Sequence, residues 1–362
     1  MNPWIEAISP YVPGRSGDPG VRTVKLSSNE NPLGASPQAL RAMAAAVNRP
    51  HRYPDAAAHE LRGAIAEAHG IEADRIVCGT GSDELLQCLA LAYAGPGDEV
   101  IHMRYGFMVY PMAARRAGAV PIAVEDKDYG ADVDAILDAV TERTKLVYLA
   151  NPNNPTGTLA PADEIRRLHT DLPPHIMLVL DAAYAEYIDP DMDYEDGIAM
   201  AREHANVVTT RTFSKIYGLA GARVGWAYGQ PEVIGALNRI RGPFNVTTEA
   251  QAAAMAAVRD TAWLKHCRED NAKERARLVS ALEALGNYGV RAVPSEANFV
   301  LTVFPDDKDR NAEAANDFLS ARNILVRWLP KMGLGHTLRL GVGTAEENDE
   351  LIAALRAFFG EG

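Results

Sequence analysis

The sequence predicts an α/β protein with a mainly parallel sheet sandwiched by helices, followed by a smaller α+β C-terminal domain. Up to about residue 210, short apolar runs alternate with helical patterns, which is typical of a sheet covered on both faces. From about Pro231 the pattern changes to long helical stretches followed by short strands. A chain of 362 residues is also long enough for two domains.

In the first part, six apolar runs predict strands, because each is short, rich in branched residues and bounded by turn residues. They cover residues 75–79, 99–102, 120–124, 146–149, 176–180 and 207–210. Helical patterns at 83–93, 109–117 and 161–169 lie between some of them. Strand and helix in alternation indicate parallel strands joined by crossover helices.

The second part predicts helices over 232–241 and 249–285, the second broken near Thr261, and a last helix over 346–359. Short strands are expected at 298–303, 324–326 and 337–341. Residues 1–30 are rich in Pro, Gly and Ser and suggest an arm that must dock on the smaller domain or a partner subunit to become ordered. We therefore expect an arm at 1–30, a large domain at 31–240 and a small domain at 241–362.

The net charge, the cysteine content and the lack of long apolar runs exclude several classes of binding partner. The net charge of −12 disfavours nucleic acid and anionic membranes, because both would repel the chain. The three scattered cysteines, Cys78, Cys88 and Cys267, suit neither a disulfide framework nor a zinc site, and no metal is expected. With no basic, apolar leader and no apolar run near the ~20 residues of a membrane span, the sequence predicts a cytoplasmic protein.

Lys215 lies in the segment TTRTFSKIYGLAGARVGW, residues 209–226, just after a predicted strand. Two hydroxyls precede it, Thr212 and Ser214, and Arg223 follows a glycine-rich turn. An amine, hydroxyls and a guanidinium are what a covalently bound aldehyde cofactor with a phosphate would need. For a single lysine, an exposed position after a buried strand is the more common explanation, so the interpretation depends on the rest of the site.

Polar residues follow two other strands. Asn154 lies in ANPNNPTGT (150–158), where α/β folds place ligands, although such a segment also forms an Asx/Pro turn. Asp181 ends the apolar run LVLD, and Tyr184 follows it. A carboxylate there is costly unless it is paired, and a protonated pyridine nitrogen is one partner; a helix N-cap is the alternative.

Residues 77–90, VCGTGSDELLQCLA, predict a strand, a glycine turn and a helix. The backbone N–H groups of Gly81, Ser82 and Asp83 would open at the helix N-terminus and suit a phosphate. The turn matches neither the Walker P-loop nor the G-x-G-x-x-G pattern, and a helix simply capped by Ser82 would look the same.

Two arginines complete the candidate site. Arg327 follows the run ILV, and Arg339 alternates with leucines in TLRLGVG, so it points away from their face of the strand. Arginine is suited to bidentate binding of carboxylate or phosphate, although a solvent-facing arginine is common on strands. A reactive lysine, a pyridinium partner, a ring-oxygen donor, a phosphate cradle and an anion clamp together describe pyridoxal 5′-phosphate chemistry.

The motifs NPTG, D-x-A-Y, S-K and an arginine eight residues after the lysine resemble the aspartate-aminotransferase-like, fold-type-I pyridoxal-phosphate enzymes. Within them, KLSSNENPLGASP (25–37), RYPD (52–55) and LRLGVGT (338–344) resemble the class-II histidinol-phosphate aminotransferase group. The resemblance covers nearly the whole chain. It implies a seven-stranded large-domain sheet and transamination between L-histidinol phosphate and 2-oxoglutarate in histidine biosynthesis.

The resemblance also implies a role for each matching residue. Lys215 would bind the cofactor covalently and shuttle a proton, Asp181 would pair with the pyridinium nitrogen, and Tyr105 would stack on the ring. Asn31, Arg327 and Arg339 would contact substrate. The remaining cofactor contacts would come from Gly81, Ser82, Asp83, Asn154, Tyr184, Thr212, Ser214 and Arg223.

The same resemblance implies a homodimer with shared active sites, in which Tyr53 and Tyr11 reach the partner's site. The bulky loop RWLPKMGLGH (327–336) favours an alternative, since Trp328 and Met332 would suit aromatic side chains. An aromatic-amino-acid aminotransferase therefore stays open. A decarboxylase or lyase on the same fold, and a non-catalytic cofactor-binding regulatory domain, are more distant alternatives.

Overall fold

The computed structural model describes residues 1–6, 8–10, 14–17 and 20–361. The strands in this part of the chain are β1 (Val24–Lys25), β2 (Ile76–Gly79), β3 (Glu99–Met103), β4 (Val120–Val124), β5 (Thr144–Ala150), β6 (Met177–Asp181), β7 (Val207–Thr212), β8 (Gly225–Gly229), β9 (Arg291–Ala292), β10 (Phe299–Val303), β11 (Ile324–Leu325), β12 (Arg327–Leu329) and β13 (Leu334–Gly341).

The α-helices of the same described residues are α1 (Pro3–Glu6), α2 (Pro37–Ala46), α3 (His59–His69), α4 (Ser82–Tyr93), α5 (Val109–Arg116), α6 (Val133–Asp138), α7 (Ala162–Asp171), α8 (Ile198–Glu203), α9 (Pro231–Ile240), α10 (Thr248–Arg259), α11 (Thr261–Ala284), α12 (Ala312–Ser320) and α13 (Ala345–Phe359). Single 3₁₀ turns lie at Ala73–Arg75, Ala185–Tyr187, Ala220–Ala222, Gly286–Tyr288 and Pro330–Met332. None of the described helices combines the length and apolar character that a membrane span requires.

The large sheet has seven strands in the order β2-β8-β7-β6-β5-β3-β4. Strands β4, β3, β5, β6 and β7 pair in parallel, whereas β8 is antiparallel to both of its neighbours, β7 and β2. The predicted mainly parallel, seven-stranded sheet is therefore confirmed. The carboxyl ends of six strands and the amino end of β8 lie along one edge.

Both faces of this sheet are buried, because successive residues of a strand belong to different apolar clusters. Val147 and Leu149 of β5 pack with residues of α2, α3, α7 and α10 on one face. Leu146 and Tyr148 pack with residues of α4, α5 and α9 on the other. This explains why the strands are almost uniformly apolar instead of alternating with polar residues.

The second part of the chain forms a four-stranded antiparallel sheet in the order β12-β13-β10-β9. Its apolar face packs against α11, α12 and α13 around residues such as Leu338 and Phe304. The N-terminal segment contributes β1, which pairs in parallel with β11. Residues far apart in the sequence thus complete the smaller part of the fold.

Most of the predicted elements are confirmed to within a few residues, including the break near Thr261, since α10 ends at Arg259 and α11 begins at Thr261. Local sequence patterns do not predict β8, because its residues GWAYG carry glycine at both ends and lack a branched run. The same patterns do not predict α2, α3, α6, α8 or α12; four of these helices have ten residues or fewer, and α3 has 11.

We expect Gly218→Ala to destabilise the fold. Gly218 has φ +68, and a Cβ atom there would lie 2.3 Å from the carbonyl oxygen of Gly34 and 2.5 Å from the backbone nitrogen of Ala35. The combined strain and backbone clash should cost roughly 2–5 kcal/mol in urea unfolding. Gly221→Ala is the control, because nothing lies within 4 Å of its added Cβ. Equal stability of the two variants would contradict this account.

Candidate active site

A cavity of about 270 Å³ lies at the edge of the large sheet where the parallel strands end. Side chains that follow β2, β3, β5, β6 and β7 line it, together with residues of β12 and β13 from the smaller sheet. Ligands bind at this edge in open α/β sheets, because loops from neighbouring strands meet there.

Lys215 lines the cavity three residues after β7 ends. Its half-buried side chain places Nζ 5.7 Å from the centre of the Tyr184 ring. The local turn is closed by the Gly218 N–H, which donates to the Lys215 carbonyl at 2.9 Å. The lysine is therefore held at the cavity wall and does not extend into solvent.

Asp181 ends β6 and is 4% exposed. Tyr110 donates its hydroxyl to Oδ2 at 2.8 Å, and Thr210 donates to Oδ1 at 3.1 Å. Burial raises the pKa of the carboxyl from 3.8 to about 6, while these two hydrogen bonds and the Lys215 charge act to lower it. The carboxylate is thus poised to accept a cationic partner from the cavity.

At one end of the cavity, the N-terminus of α4 faces Arg223. The guanidinium donates to the Ser214 hydroxyl at 3.0 Å and lies 3.5 Å from an Asp83 carboxylate oxygen. A Cβ atom on Gly81 would lie 2.6 Å from Arg223 Nη2, and one on Gly225 would lie 2.3 Å from the backbone nitrogen of Ser82. Gly225 is required for the close approach of two backbone segments, and Gly81 is favoured by its φ of +82, and the arrangement suits an anion.

Asn154 and Tyr184 lie near the middle of the cavity. The Asn154 Oδ1 accepts a hydrogen bond from Arg339 Nη1 at 2.6 Å, which leaves its amide N–H group as the donor. The Tyr184 oxygen accepts from Asn29 Nδ2 at 3.0 Å, so its own O–H is the donating group. Both predicted ring-oxygen donors are therefore oriented by neighbouring side chains.

Two arginines come together at the other end. Arg327 and Arg339 are directly opposite each other in the β12–β13 pairing, so both side chains project from the same face of the smaller sheet. Arg339 is 7% exposed and also donates to the Ser27 carbonyl at 2.8 Å. Both line the cavity, as do Leu329, which ends β12, and Met332 from the loop between the two strands.

Trp328, the central residue of β12, contradicts one expectation. Trp328 does not line the cavity: its ring packs with the apolar cluster of the smaller sheet, and its Nε1 donates to the Gly335 carbonyl at 2.9 Å. Adjacent residues of a strand point to opposite faces, and Arg327 takes the cavity side. Met332 does line the cavity.

Tyr105 is not among the cavity-lining residues, contrary to its predicted stacking role, and Phe107 is. The Tyr105 N–H donates to Asp126 at 2.9 Å, and its ring lies 6.0 Å from that of Tyr129. The chain turns at Gly106, so the side chains of Tyr105 and Phe107 point in different directions.

Asn31 is also outside the cavity. Its amide donates to the Ile216 carbonyl at 2.6 Å and to the Cys267 sulfur at 3.3 Å, and its oxygen accepts from the Leu33 N–H at 3.0 Å. Through these hydrogen bonds the Asn31 side chain fixes the backbone next to Lys215. The asparagine of the same segment that reaches the site is Asn29.

Tyr53 and Tyr11 are expected to reach the active site of a partner subunit, and the structure describes only the first of them. Tyr53 is 81% exposed, does not line its own chain's cavity and stacks on Phe244 with ring centres 4.5 Å apart. Tyr11 lies outside the described residues.

Tyr110, Thr210, Phe107 and Asn29 belong to the site but were not identified from the sequence. Thr210 ends the predicted β-branched run and Asn29 lies in the quoted motif SSNENP, so both had a positional signal. Tyr110 had none, because it is a helix residue whose hydroxyl reaches Asp181 only after α5 packs on the sheet.

The family model described as "Aminotransferase class I and II" matches residues 21–355. The chain belongs to this family. Its relatives include a histidinol-phosphate aminotransferase from Erythrobacter litoralis, 54% identical over 96% of this chain and 94% of the relative. Another, of the same name, from Sphingopyxis alaskensis is 52% identical over 98% and 96% of the two chains.

Solved structures of the family share the fold. The histidinol-phosphate aminotransferase from Sinorhizobium meliloti, in complex with pyridoxal 5′-phosphate, has a TM-score of 0.90 and 30% identity, and the match covers 99% of this chain and 97% of that one. An aspartate aminotransferase from Thermus thermophilus has a TM-score of 0.80 at 25% identity, covering 94% and 92%. The fold-type-I resemblance is therefore confirmed.

We expect Asp181→Asn to stabilise the cofactor-free protein at pH 8. The carboxyl pKa is about 6 in the folded protein against an ordinary 3.8, so ionised Asp181 opposes folding above pH 6. The effect should be on the order of 3 kcal/mol at pH 8 and should vanish as the pH falls below about 4. Urea unfolding measures it at pH 8, where the full effect is expected, and at pH 5, where about half of it should remain.

The control is Asp309→Asn, because that side chain is 79% exposed. Its stability difference from the parent should not depend on pH in this range. A variant at Asp181 that is no more stable than the parent at pH 8 would show that the buried carboxylate carries no such cost.

Proposed function

We propose that this chain is a pyridoxal 5′-phosphate-dependent histidinol-phosphate aminotransferase. It would exchange the amino group between L-histidinol phosphate and 2-oxoglutarate, with imidazole-acetol phosphate and glutamate as the other pair, in histidine biosynthesis. The names of its relatives support the activity. The observation that carries the substrate assignment is the pair Arg327 and Arg339, which places two cations at one end of a cavity that already has a separate anion cradle.

The cavity fits the cofactor. Ser82, Asp83, Thr212, Ser214 and Arg223 would surround the phosphate, and the two glycine positions that exclude a Cβ atom keep this cradle open. When bound, pyridoxal 5′-phosphate supplies an aldehyde for covalent attachment and a ring that withdraws electrons.

The ring would be held between polar and aromatic side chains. Asp181 would pair with the ring nitrogen, and Asn154 and Tyr184 would donate to the ring oxygen. We assign the stacking role to Phe107 in place of Tyr105, because Phe107 lines the cavity. Lys215 would carry the cofactor.

Three residues of this chain would then have separate roles in the reaction. Lys215 Nζ would take the proton from the substrate Cα, pass it to the cofactor carbon that receives the amino group, and move it back in the opposite half-reaction, since it is the one cavity-lining lysine among the described residues. Arg339 holds the α-carboxylate of glutamate or 2-oxoglutarate. Arg327 holds the phosphate of histidinol phosphate or the distal carboxylate of glutamate or 2-oxoglutarate, so both substrates use this guanidinium group.

An aromatic-amino-acid aminotransferase is the second candidate. The observation in its favour is the apolar lining beside Arg327, where Leu329 and Met332 face the cavity. These side chains would contact an imidazole or a phenyl ring equally well, so the guanidinium of Arg327 is the feature that discriminates.

We also propose a homodimer in the cytoplasm. The exposed Tyr53–Phe244 stack is an apolar surface that a second subunit would cover, and Tyr53 would reach the phosphate in the partner's site. Tyr11 would lie near the same site. The three buried, unbridged cysteines are consistent with a reducing compartment.

The division into an arm at 1–30, a large domain at 31–240 and a small domain at 241–362 is likewise a proposal. The pairing of β1 with β11 supports docking of the arm on the small domain. The packing of α10 against α2 and α3 favours a boundary closer to Arg259.

Lys215→Ala should abolish turnover and the visible absorbance of covalently held cofactor. Lys215→Arg is a stringent companion, because it keeps the charge but cannot form the covalent bond. Lys331→Ala, at an exposed position outside the cavity, should keep both signals. Absorbance spectra and steady-state assays of the three variants measure the effect, and full activity of Lys215→Ala would overturn the proposed chemistry.

Arg327→Ala should lower kcat/KM for histidinol phosphate by about 10²-fold or more, because a charge-assisted hydrogen bond in a desolvated site is lost. The effect on phenylalanine as amino donor should be far smaller. Assays of histidinol phosphate, phenylalanine and tyrosine with 2-oxoglutarate measure both, with Lys331→Ala as the matched loss of charge. Equal losses on all three donors would count against a phosphate clamp.

A further inference from the structure

Tyr110 makes a buried hydrogen bond that the proposed reaction does not yet use. Its side chain is 1% exposed, and its hydroxyl donates to Asp181 Oδ2 at 2.8 Å. Thr210, which is fully buried, donates to the other carboxylate oxygen at 3.1 Å. Each oxygen of Asp181 therefore has one protein donor, and the carboxylate is held in a fixed orientation at the cavity edge.

The Tyr110 ring is itself fixed by packing. It stacks on Tyr148 with ring centres 4.8 Å apart and planes 8° apart, and Phe107 meets it edge-on at 5.9 Å. The Tyr148 hydroxyl is turned away and donates to the Leu86 carbonyl at 2.5 Å. Of the two stacked tyrosines, only Tyr110 presents its hydroxyl to the carboxylate.

Burial is the main influence on both groups. It raises the pKa of Tyr110 well above its ordinary value, and the Asp181 charge raises it further, so the phenol stays protonated and can only donate when it faces a carboxylate. Burial also raises the pKa of Asp181, and the Asp83 charge acts in the same direction. The Tyr110 hydrogen bond is the largest effect opposing that rise, followed by the Thr210 hydrogen bond and the Lys215 charge. A donor to the charged form favours the anion.

We propose that Tyr110 is a positioning residue, whose hydroxyl holds the Asp181 carboxylate towards the cavity and keeps it anionic, so that a bound pyridine nitrogen remains protonated. This inference rests on pyridoxal 5′-phosphate as cofactor but not on the identity of the amino donor. Thr210 provides the second, weaker restraint on the same carboxylate.

Tyr110→Phe tests the inference, since it removes the hydroxyl and keeps the ring. Without the donor the pKa of Asp181 rises, so the anion is lost at a higher pH. The pH below which affinity for pyridoxal 5′-phosphate falls should therefore move upward by about one unit. The ¹⁵N NMR shift of cofactor labelled at the pyridine nitrogen should move towards the neutral ring at pH 7.

Tyr148→Phe is the matched control, because it removes the hydroxyl of the stacked neighbour without touching Asp181. It should keep the parent's pH midpoint and ¹⁵N shift. An unchanged midpoint in Tyr110→Phe would overturn the proposal, and so would an equal shift in both variants, since packing alone would then explain the effect.

Thr210→Val provides a second route should Tyr110→Phe not fold, as judged by circular dichroism. It should shift the midpoint in the same direction by a smaller amount, and no shift would again overturn the proposal. Failure of the parent protein to bind pyridoxal 5′-phosphate would instead contradict the proposed function, and selective turnover of phenylalanine would contradict only the substrate assignment.

Discussion

The fold depends on the parallel pairing of the central strands. Parallel strands need long crossover connections, so their carboxyl ends collect at one edge of the sheet and their connecting helices cover both faces. Lys215, Asp181 and Asn154 each follow a different strand and meet at that edge. The reversed strand β8 brings its amino end to the same place, which is how Arg223 comes to face the N-terminus of α4.

Two buried charged side chains on neighbouring strands differ in how well their charge is compensated by other residues. Arg211 of β7 is 3% exposed and pairs with Glu186 at 3.0 Å and Asp196 at 2.5 Å, so its charge is compensated within the chain. Among the described residues, the hydrogen-bond donors to the Asp181 carboxylate are two neutral hydroxyls, and the nearby positive charge is that of Lys215. An incompletely compensated carboxylate costs folding free energy, and a cationic ligand recovers that cost on binding.

The two ends of the cavity come from different sheets. The cradle around Arg223 belongs to the large sheet, whereas Arg327 and Arg339 project from the smaller one. Direct contacts join them: Arg339 donates to Asn154, and the Glu296 N–H donates to the Gly157 carbonyl at 2.9 Å. Any displacement of one sheet relative to the other would therefore change the spacing between the two ends of the cavity.

Local patterns determined the strand–helix alternation, the break near Thr261 and the residues at the strand ends, because apolar runs and turn residues act over a few positions. They could not identify β8, whose glycine-bounded residues form a strand only between two existing neighbours. Nor could they show that Phe107 and not Tyr105 lines the cavity, or that Tyr110 reaches Asp181. Those outcomes depend on how a turn directs its side chains and how a helix packs on the sheet, and only the tertiary structure decides them.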